Sequence, residues 1–298
     1  MRWEDFRRSD NVEDARGGGF GGGFGGGGMP MGAGGMGIGG MIVLALLAWA
    51  FGIDPSALMG TLDGSSPSGY EEPSTNARGT PEDRTGQFVA AVLGDTEDRW
   101  SEIFHETNRS YEAPKLRLYS GADRSACGFA QAAMGPFYCP NDRHVYLDTS
   151  FFHDLEGRFR GCSGKACEFA EAYVVAHEVG HHVQNLLGIL PRVTEMQQGR
   201  DRASANHLQV GIELQADCLA GVWAHHSQDK WKFIEPGDVE AAMQTAAAIG
   251  DDRLQQQSQG YVVPDAFTHG SSEQRVHWFT TGLRSGELSA CNTLDVRQ

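Results

Sequence analysis

The sequence predicts an α+β fold: a mostly helical domain with a small sheet, preceded by one transmembrane helix. From residue 84 onward, apolar residues recur mostly three and four positions apart, which is the spacing of one helix face. Two short stretches, residues 115–120 and 144–148, alternate instead, as strands do. One uncharged apolar run, residues 37–53, stands apart from the rest and has the length of a short membrane span.

The first 36 residues are predicted to be a disordered, Gly-rich N-terminus. Residues 1–16 are charged and polar, and a Gly/Met tract follows from residue 17. A segment of this composition is expected to bury too little apolar surface to offset the conformational entropy lost on folding.

Residues 37–53 are predicted to anchor the chain in a membrane, because their 17 uncharged residues would span ~26 Å as a helix. A cleavable signal peptide is the alternative, but its apolar region normally begins near the N-terminus, and no small-residue cleavage site follows. Four arginines precede the run, and no Lys or Arg follows it until Arg78. The positive-inside rule then predicts a single-pass inner-membrane protein with a cytoplasmic N-terminus and a periplasmic domain.

Charge and cysteine content narrow the function and the compartment. The net charge of −15 argues against a nucleic-acid partner. All six cysteines follow the apolar run, and an even number on one side of a membrane predicts disulfides in an oxidising compartment. Buried free thiols are the alternative.

A linker and one folded domain make up the rest of the chain. Residues 54–83 are rich in Ser, Pro, Gly and acidic residues, which is typical of a flexible linker. Residues 84–298 are enough for one sizeable core. The strand at 144–148 is expected at the sheet edge, beside the cleft, where an extended peptide could pair with it. Simple packing of this strand in the core is the alternative. Helices are predicted at 84–107 with a break near Gly94, at 149–155, 168–187 and 203–227, after Pro236, and at 271–283.

The helix at 168–187 carries a His-Glu-x-x-His motif, formed by His177, Glu178 and His181. Residues four apart lie on one face of a helix, so the two imidazoles can bind one Zn²⁺ together. Glu178 directly follows the first ligand and can act as general base on a water that zinc activates. The apolar residues around the motif favour a buried metal site over an ordinary helix that happens to contain two histidines.

A catalytic zinc ion usually has three protein ligands, so a third is expected elsewhere in the chain. Leu187 excludes the scheme in which a histidine follows the second ligand by six residues. Glu213 fits well, because Asp217 lies one turn further along the same face and would accept the outer N–H of a ligand histidine. The predicted ligands of one zinc ion per chain are therefore His177, His181 and Glu213. Alternative third ligands are His207, His225 and His226.

The oxyanion formed during hydrolysis needs a hydrogen-bond donor besides the metal. Three side chains are candidates for that donor: Tyr138, Tyr173 and His269. His269 is preferred, so the predicted catalytic residues are Glu178 and His269.

Several motifs together resemble the bacterial neutral zinc metallopeptidases, a YpfJ-like family. They are HEVGHHVQ, ELQADCLAGVWA, THGSSEQRVHWF, the stretch from SACGF to HVYLD, and the N-terminal MRW with RRSDNVEDAR. The resemblance covers nearly the whole chain. It implies a gluzincin-type, zincin-like domain with zinc on His177, His181 and Glu213 and with Glu178 catalytic. ELQAD and THG also resemble membrane zinc proteases of the CAAX-processing and heat-shock type, which have several spans. The Cys162–Cys167 stretch has no counterpart in this pattern.

Six cysteines allow fifteen disulfide connectivities, so spacing alone does not select one. We expect two local pairs and one that ties the C-terminus to the helix of Glu213. The expected pairs are Cys127–Cys139, Cys162–Cys167 and Cys218–Cys291.

The sequence thus predicts a membrane-anchored zinc endopeptidase that acts on a peptide or protein substrate. A membrane-tethered binding or assembly protein that keeps the fold without catalysis is one alternative. A zinc hydrolase acting on something other than peptides is another. Glu178 argues against the binding protein, because zinc binding alone requires no general base. Neither the substrate nor the oligomeric state can be predicted from the sequence.

Overall fold

The structure, a computed structural model, describes residues 1–16, 81–131, 135–157 and 162–294, which all belong to one compact unit. Strands in these ranges are β1 (Val12–Asp14), β2 (Lys115–Tyr119), β3 (Ala122–Ser125), β4 (Gly128–Gln131), β5 (Phe137–Cys139) and β6 (His144–Asp148). The helices are α1 (Arg84–Glu106), α2 (Ser150–Gly157), α3 (Cys167–Leu186), α4 (Ile189–Gln197), α5 (Arg202–Trp231), α6 (Asp238–Ala248), α7 (Asp251–Gln259) and α8 (Ser272–Ser285). The predicted α+β class, mostly helical with a small sheet, is confirmed.

Four strands form the main sheet in the order β1-β2-β6-β5, while β3 and β4 pair as a separate antiparallel hairpin. β1 and β6 run parallel to β2, and β5 runs antiparallel to β6. The expectation that β6 forms the sheet edge beside the cleft is wrong, because β6 lies between β2 and β5. β5 takes the edge position instead, and its short, turn-flanked sequence carries too weak an alternation to be recognised as a strand.

The first 16 residues are folded, so the prediction of a disordered N-terminus is wrong for them. Met1, Trp3, Phe6 and Val12 are all buried in the main core. The Trp3 ring packs edge-on against Phe88, with 5.5 Å between ring centroids. β1 adds to the sheet in parallel with β2. The composition of residues 1–16 did not predict this folding, because a few well-spaced apolar residues are enough to pack a strand against the core.

α1 is continuous, so the predicted break near Gly94 is also wrong. A Cβ atom on Gly94 would lie 2.2 Å from the backbone oxygen of Arg7. The glycine is therefore required by the close passage of the N-terminal segment, rather than by an end of the helix. Ser9 confirms the contact, since its backbone N–H donates to the Ala90 carbonyl at 2.9 Å.

α3 and α5 pack side by side and carry the candidate site. Gly180 of α3 faces Ala216 of α5, and a Cβ on Gly180 would lie 3.0 Å from the Ala216 carbonyl oxygen. Gly188 lies between α3 and α4 in the left-handed conformation, at φ 74°. α8 opens with a capping box on Ser271. α4 and α7 were not predicted.

The three expected disulfides, Cys127–Cys139, Cys162–Cys167 and Cys218–Cys291, are all present. The predicted membrane anchor (37–53) and nearly all of the predicted linker (54–83) lie outside the described residues. Among the helices of the described ranges, none has the length and apolar character needed to cross a membrane.

Candidate metal centre

The structure brings the three predicted ligands together. His177 and His181 lie one turn apart on α3, and Glu213 faces them from α5. Glu213 Oε2 lies 3.3 Å from His177 Nε2 and 3.5 Å from His181 Nε2. One donor atom from each residue thus falls within 4.8 Å of the others. Two imidazole nitrogens and one carboxylate oxygen converging on a point are a donor set that zinc prefers.

The alternative third ligands lie elsewhere. His225 Nδ1 donates to the Leu283 carbonyl, and His226 Nε2 donates to the Gly286 carbonyl, both at 2.9 Å. His207 is exposed. In the part of the chain that the structure describes, His177, His181 and Glu213 are the one cluster of at least three such side chains able to hold a metal.

Asp217 orients the first of the two histidines. It accepts a 2.8 Å hydrogen bond from His177 Nδ1, which leaves Nε2 of that ring facing Glu213. Arg275 binds both Asp217 oxygens, at 2.8 and 2.9 Å, and the Tyr173 hydroxyl donates to Asp217 at 2.5 Å. These contacts fix the carboxylate, and therefore the ring that it holds.

Opposite charges inside the site offset the cost of burying them. Burial lowers the pKa of His177, but Asp217 and Glu213 outweigh it and raise that pKa to about 10. Burial raises the pKa of Asp217, yet Arg275 and His177 bring it down to about 2. The pKa of Glu213 is likewise lowered, because its two histidines outweigh its burial. The two carboxylates therefore stay ionised at neutral pH.

Glu178 has a different environment from the other two carboxylates. It is 7% exposed and lines the cleft, and burial raises the pKa of its carboxyl group above the usual value. Within the described residues it has no hydrogen-bond donor, whereas Glu213 and Asp217 both do. An unpaired carboxylate with a raised pKa, next to a metal site, is suited to accept a proton.

The site opens into a cleft of about 560 Å³. Its polar floor contains the three candidate ligands and Glu178. The cleft walls are largely apolar and come from β5, α2, α4 and the region of α6 and α7; they include Phe137, Phe151, Leu190, Val193, Ile249 and Leu254. A chain segment with apolar side chains would therefore find both a floor of metal ligands and walls that it can pack against.

Neither tyrosine has a proton free for an oxyanion. Tyr173 donates its proton to Asp217. His182 Nε2 lies 2.6 Å from the Glu112 carbonyl, so it must carry the ring proton, and burial lowers the pKa of His182 to about 4 and keeps the ring neutral. His182 Nδ1 is then an acceptor, and the Tyr138 hydroxyl, 3.0 Å away, donates to it. His182 therefore has a structural role.

His269 is the remaining candidate, and it lines the cleft. Its Nδ1 lies 3.3 Å from Asp251 Oδ1. The other Asp251 oxygen accepts the backbone N–H groups of Thr268, His269 and Gly270, at 2.7, 2.6 and 3.0 Å. Desolvation lowers the pKa of His269, but Asp251 and Glu213 outweigh it and raise that pKa. Asp251 therefore holds the whole loop and leaves His269 Nε2 as the nitrogen not engaged with it.

Sequence reasoning missed Asp251 and four glutamines around the ligands. Gln209 Nε2 donates to Glu213 Oε1 at 3.0 Å, and His181 Nδ1 lies 2.9 Å from Gln184 Oε1. Gln197 and Gln215 in turn contact these two side chains. No sequence pattern marks them, because a glutamine on a helix is an ordinary surface residue until the fold places it.

A family model described as "Putative neutral zinc metallopeptidase" matches residues 1–294. The protein YpfJ of Escherichia coli (strain K12) is 47% identical over 295 residues, 98% of each chain. Protein Mb2605 of Mycobacterium bovis is 42% identical over 223 residues, 70% of this chain and 73% of its own. Protein Rv2575 of Mycobacterium tuberculosis (strain H37Rv) shows the same identity and coverage. No solved structure matches the chain.

Proposed function

The chain belongs to the neutral zinc metallopeptidase family, and from that premise we propose that it is a zinc-dependent endopeptidase of the gluzincin type. The observation that carries the proposal is Glu178. Its buried carboxylate, unpaired among the described residues, lies beside the His177, His181 and Glu213 cluster, at the floor of an open cleft. A protein that only binds zinc has no use for an unpaired carboxylate there, since an unpaired buried acid is costly.

The donor set fits zinc. Both histidines turn Nε2 toward Glu213 Oε2, and the outer nitrogen of each ring is held by an acceptor, Asp217 or Gln184. Zinc bound there would supply Lewis acidity, which acidifies a water molecule and polarises a peptide carbonyl. We propose one ion per chain.

The residues of the chain supply the proton transfers. Glu178 accepts a proton from the attacking water and delivers it to the leaving amine. His269, as an imidazolium, donates from Nε2 to the oxyanion that forms on the scissile carbonyl. Asp251 orients His269 for this, and Arg275 with Tyr173 keeps Asp217 in place behind His177.

An extended peptide is the substrate that fits the cleft best. β5 is the edge strand of the sheet, and its Phe137 and Tyr138 line the cleft. The outer edge of β5, with which no other described strand pairs, can pair with the backbone of an extended segment, and the apolar walls can accept its side chains. We propose unfolded or loosely structured protein segments with apolar side chains near the scissile bond.

We also propose that the domain works outside the cytoplasm and is attached to the membrane through residues 37–53. Three disulfides support the oxidising compartment. The apolar, uncharged character of residues 37–53 supports the anchor. The net charge of −15 argues against a nucleic-acid partner.

Glu178→Gln tests the mechanism. The amide keeps the size of the side chain but accepts no proton, so we expect hydrolysis of an unfolded reporter protein to fall about 10²–10⁴-fold. Zinc content should stay at one per chain, because Glu178 is not a ligand. Glu171→Gln is the matched control: the same substitution, two turns earlier on α3, at a residue that does not line the cleft.

Undiminished hydrolysis by Glu178→Gln would contradict the mechanism. If the wild-type protein binds one zinc but cleaves nothing, the alternative of a binding or assembly protein is favoured. If it cleaves small esters but no peptide, it is a zinc hydrolase of another class.

A further inference from the structure

His181 is the candidate ligand whose orientation has no carboxylate behind it. Its Nε2 faces Glu213, and its Nδ1 lies 2.9 Å from the side-chain amide of Gln184. An amide can present either its oxygen or its nitrogen, and only the oxygen would hold the proton on Nδ1. Which way the Gln184 amide points therefore decides whether Nε2 of His181 has a lone pair for a metal.

The partners of Gln184 on its other side settle that direction. Gln184 is fully buried, and its nitrogen lies 2.8 Å from the Ile212 carbonyl oxygen. A carbonyl can only accept, so the amide N–H₂ must face Ile212, and the amide oxygen must face His181. His181 Nδ1 then donates to that oxygen, and Nε2 is the nitrogen whose lone pair can bind a metal.

Gln215 supports the same direction. The second N–H of Gln184 donates to Gln215 Oε1 at 3.0 Å, and Gln215 Nε2 donates to the carbonyl of Cys291 at 2.9 Å. That carbonyl also can only accept, so the amide of Gln215 is fixed as well. Cys291 is tied to Cys218 of α5 by a disulfide. The hydrogen-bonded chain thus runs from a covalently fixed backbone group to the metal-facing ring.

We infer that Gln184 is a positioning residue for His181, and that the Ile212 carbonyl sets the direction of its amide, supported by Gln215 and the Cys291 carbonyl. The inference rests on the proposed zinc site. Two buried glutamines, Gln184 and Gln215, thus orient His181, as Asp217 orients His177. This arrangement also gives the Cys218–Cys291 disulfide a role beyond stability, because the disulfide keeps the Cys291 carbonyl within hydrogen-bond distance of Gln215.

The test measures zinc affinity in the full-length protein by competition with a chromophoric chelator. Gln184→Leu removes the acceptor for His181, and we expect zinc affinity to fall about 10- to 100-fold. Gln215→Leu removes one of the two acceptors of the Gln184 amide nitrogen and keeps the Ile212 carbonyl, so affinity should fall in the same direction but by less. Gln228→Leu is the matched control, because Gln228 caps Ile234 N–H from the same helix, roughly 20 Å from Gln215 along α5.

Thermal unfolding of the zinc-free proteins separates positioning from folding. A merely structural glutamine would lower the midpoint and leave the zinc affinity of the folded protein unchanged, and that result would overturn the inference. If Gln184→Leu does not fold, Gln215→Leu decides alone. Failure of the wild-type protein to bind zinc would instead overturn the proposed function.

The pairing of β1 with β2 carries a second, independent inference, which concerns the two ends of segment 17–80. β1 pairs with β2 over three residues, and Lys115 Nζ lies 3.1 Å from a Glu13 carboxylate oxygen. Strands that hydrogen-bond in one sheet occupy the same compartment. We infer that residues 1–16 and the domain from residue 81 lie on the same side of the membrane. This inference departs from the predicted arrangement, which has the N-terminus in the cytoplasm and the domain outside.

Labelling of single introduced cysteines tests this arrangement. Asp10→Cys and Asp229→Cys place exposed thiols on the N-terminal segment and on the domain. In cells with an intact cytoplasmic membrane, an impermeant maleimide should label both positions or neither. Labelling of only one would overturn the inference.

A carbodiimide provides a measurement without a new cysteine. It should join Glu13 to Lys115 directly in the membrane-associated protein, and Lys115→Arg should abolish that product. Absence of the cross-link in correctly disulfide-bonded protein would also count against the inference.

Discussion

At the scale of single residues, each candidate ligand has one outer partner that decides which atom it presents. Asp217 holds His177, Gln184 holds His181, and Gln209 holds the Glu213 oxygen that faces away from the histidines. Such partners remove the freedom of a ring or carboxylate to rotate, so the donor atoms converge before any metal arrives.

The pH dependence of hydrolysis should report Glu178 and His269. Glu178 must be ionised to act as base, and its pKa is raised by burial, so activity should rise with pH through a value above 4.5. With Nδ1–H held by Asp251, neutral His269 has no proton on Nε2, so only its charged form can donate. Its pKa is raised, so activity should fall again as pH climbs through a value above 6.5.

His269→Gln checks the assignment of the alkaline limb in kcat/KM profiles. An amide N–H does not titrate, so the variant should lose this limb, while His269→Ala should lower kcat by about 10²-fold or more. An unchanged alkaline limb in His269→Gln would assign it to another group. The acid limb should be the same in both variants.

At the scale of elements, the crossing of α5 and α8 depends on two glycines. A Cβ on Gly282 would lie 1.9 Å from the Cys218 carbonyl oxygen, and one on Gly221 would lie 2.2 Å from that of Phe279. The close contact lets Arg275 of α8 reach Asp217 of α5. Helix packing and the orientation of His177 are therefore coupled.

Gly282→Ala is expected to force the two helices apart and to lower the free energy of unfolding by about 1–3 kcal/mol. Urea unfolding measures this. Gly157→Ala is the control, because its new methyl group would meet no atom of the described residues within 4 Å. Its midpoint should move little. Equal stability of the two variants would show that the crossing can relax to accept a methyl group.

At the scale of the whole molecule, the N-terminal segment is a part of the domain. Its strand extends the sheet, and its Arg7 binds Glu97 of α1 at 2.7 Å. The family match also begins at residue 1. A protein cut before residue 81 would lose one strand and several core side chains.

Trp3→Ala tests that conclusion. Trp3 is 4% exposed, so its loss leaves a cavity, and we expect the free energy of unfolding to fall by about 3 kcal/mol or more. Asp5→Ala, at an exposed position two residues away, should have almost no effect. A disordered tail would instead tolerate both changes equally, which chemical denaturation would reveal.

The sequence by itself determined the local parts: the helix of His177, Glu178 and His181, the strands β2 and β6, and the Glu213–Asp217 pair one turn apart. These depend on spacing along one element, which a sequence states directly. It also predicted the three disulfide pairs that the structure contains.

Only the tertiary structure decided which elements meet. β5 takes the sheet edge, Gly94 admits the N-terminal segment, and Gln184 faces His181 because α3 and α5 pack closely. The tertiary structure also decides the direction of hydrogen bonds. The Glu112 carbonyl, 70 residues from His182 in the chain, holds the ring proton on Nε2, and the Tyr138 hydroxyl therefore donates to Nδ1. Such contacts join residues that are far apart in the chain, and a single sequence does not state which distant residues lie close together in space.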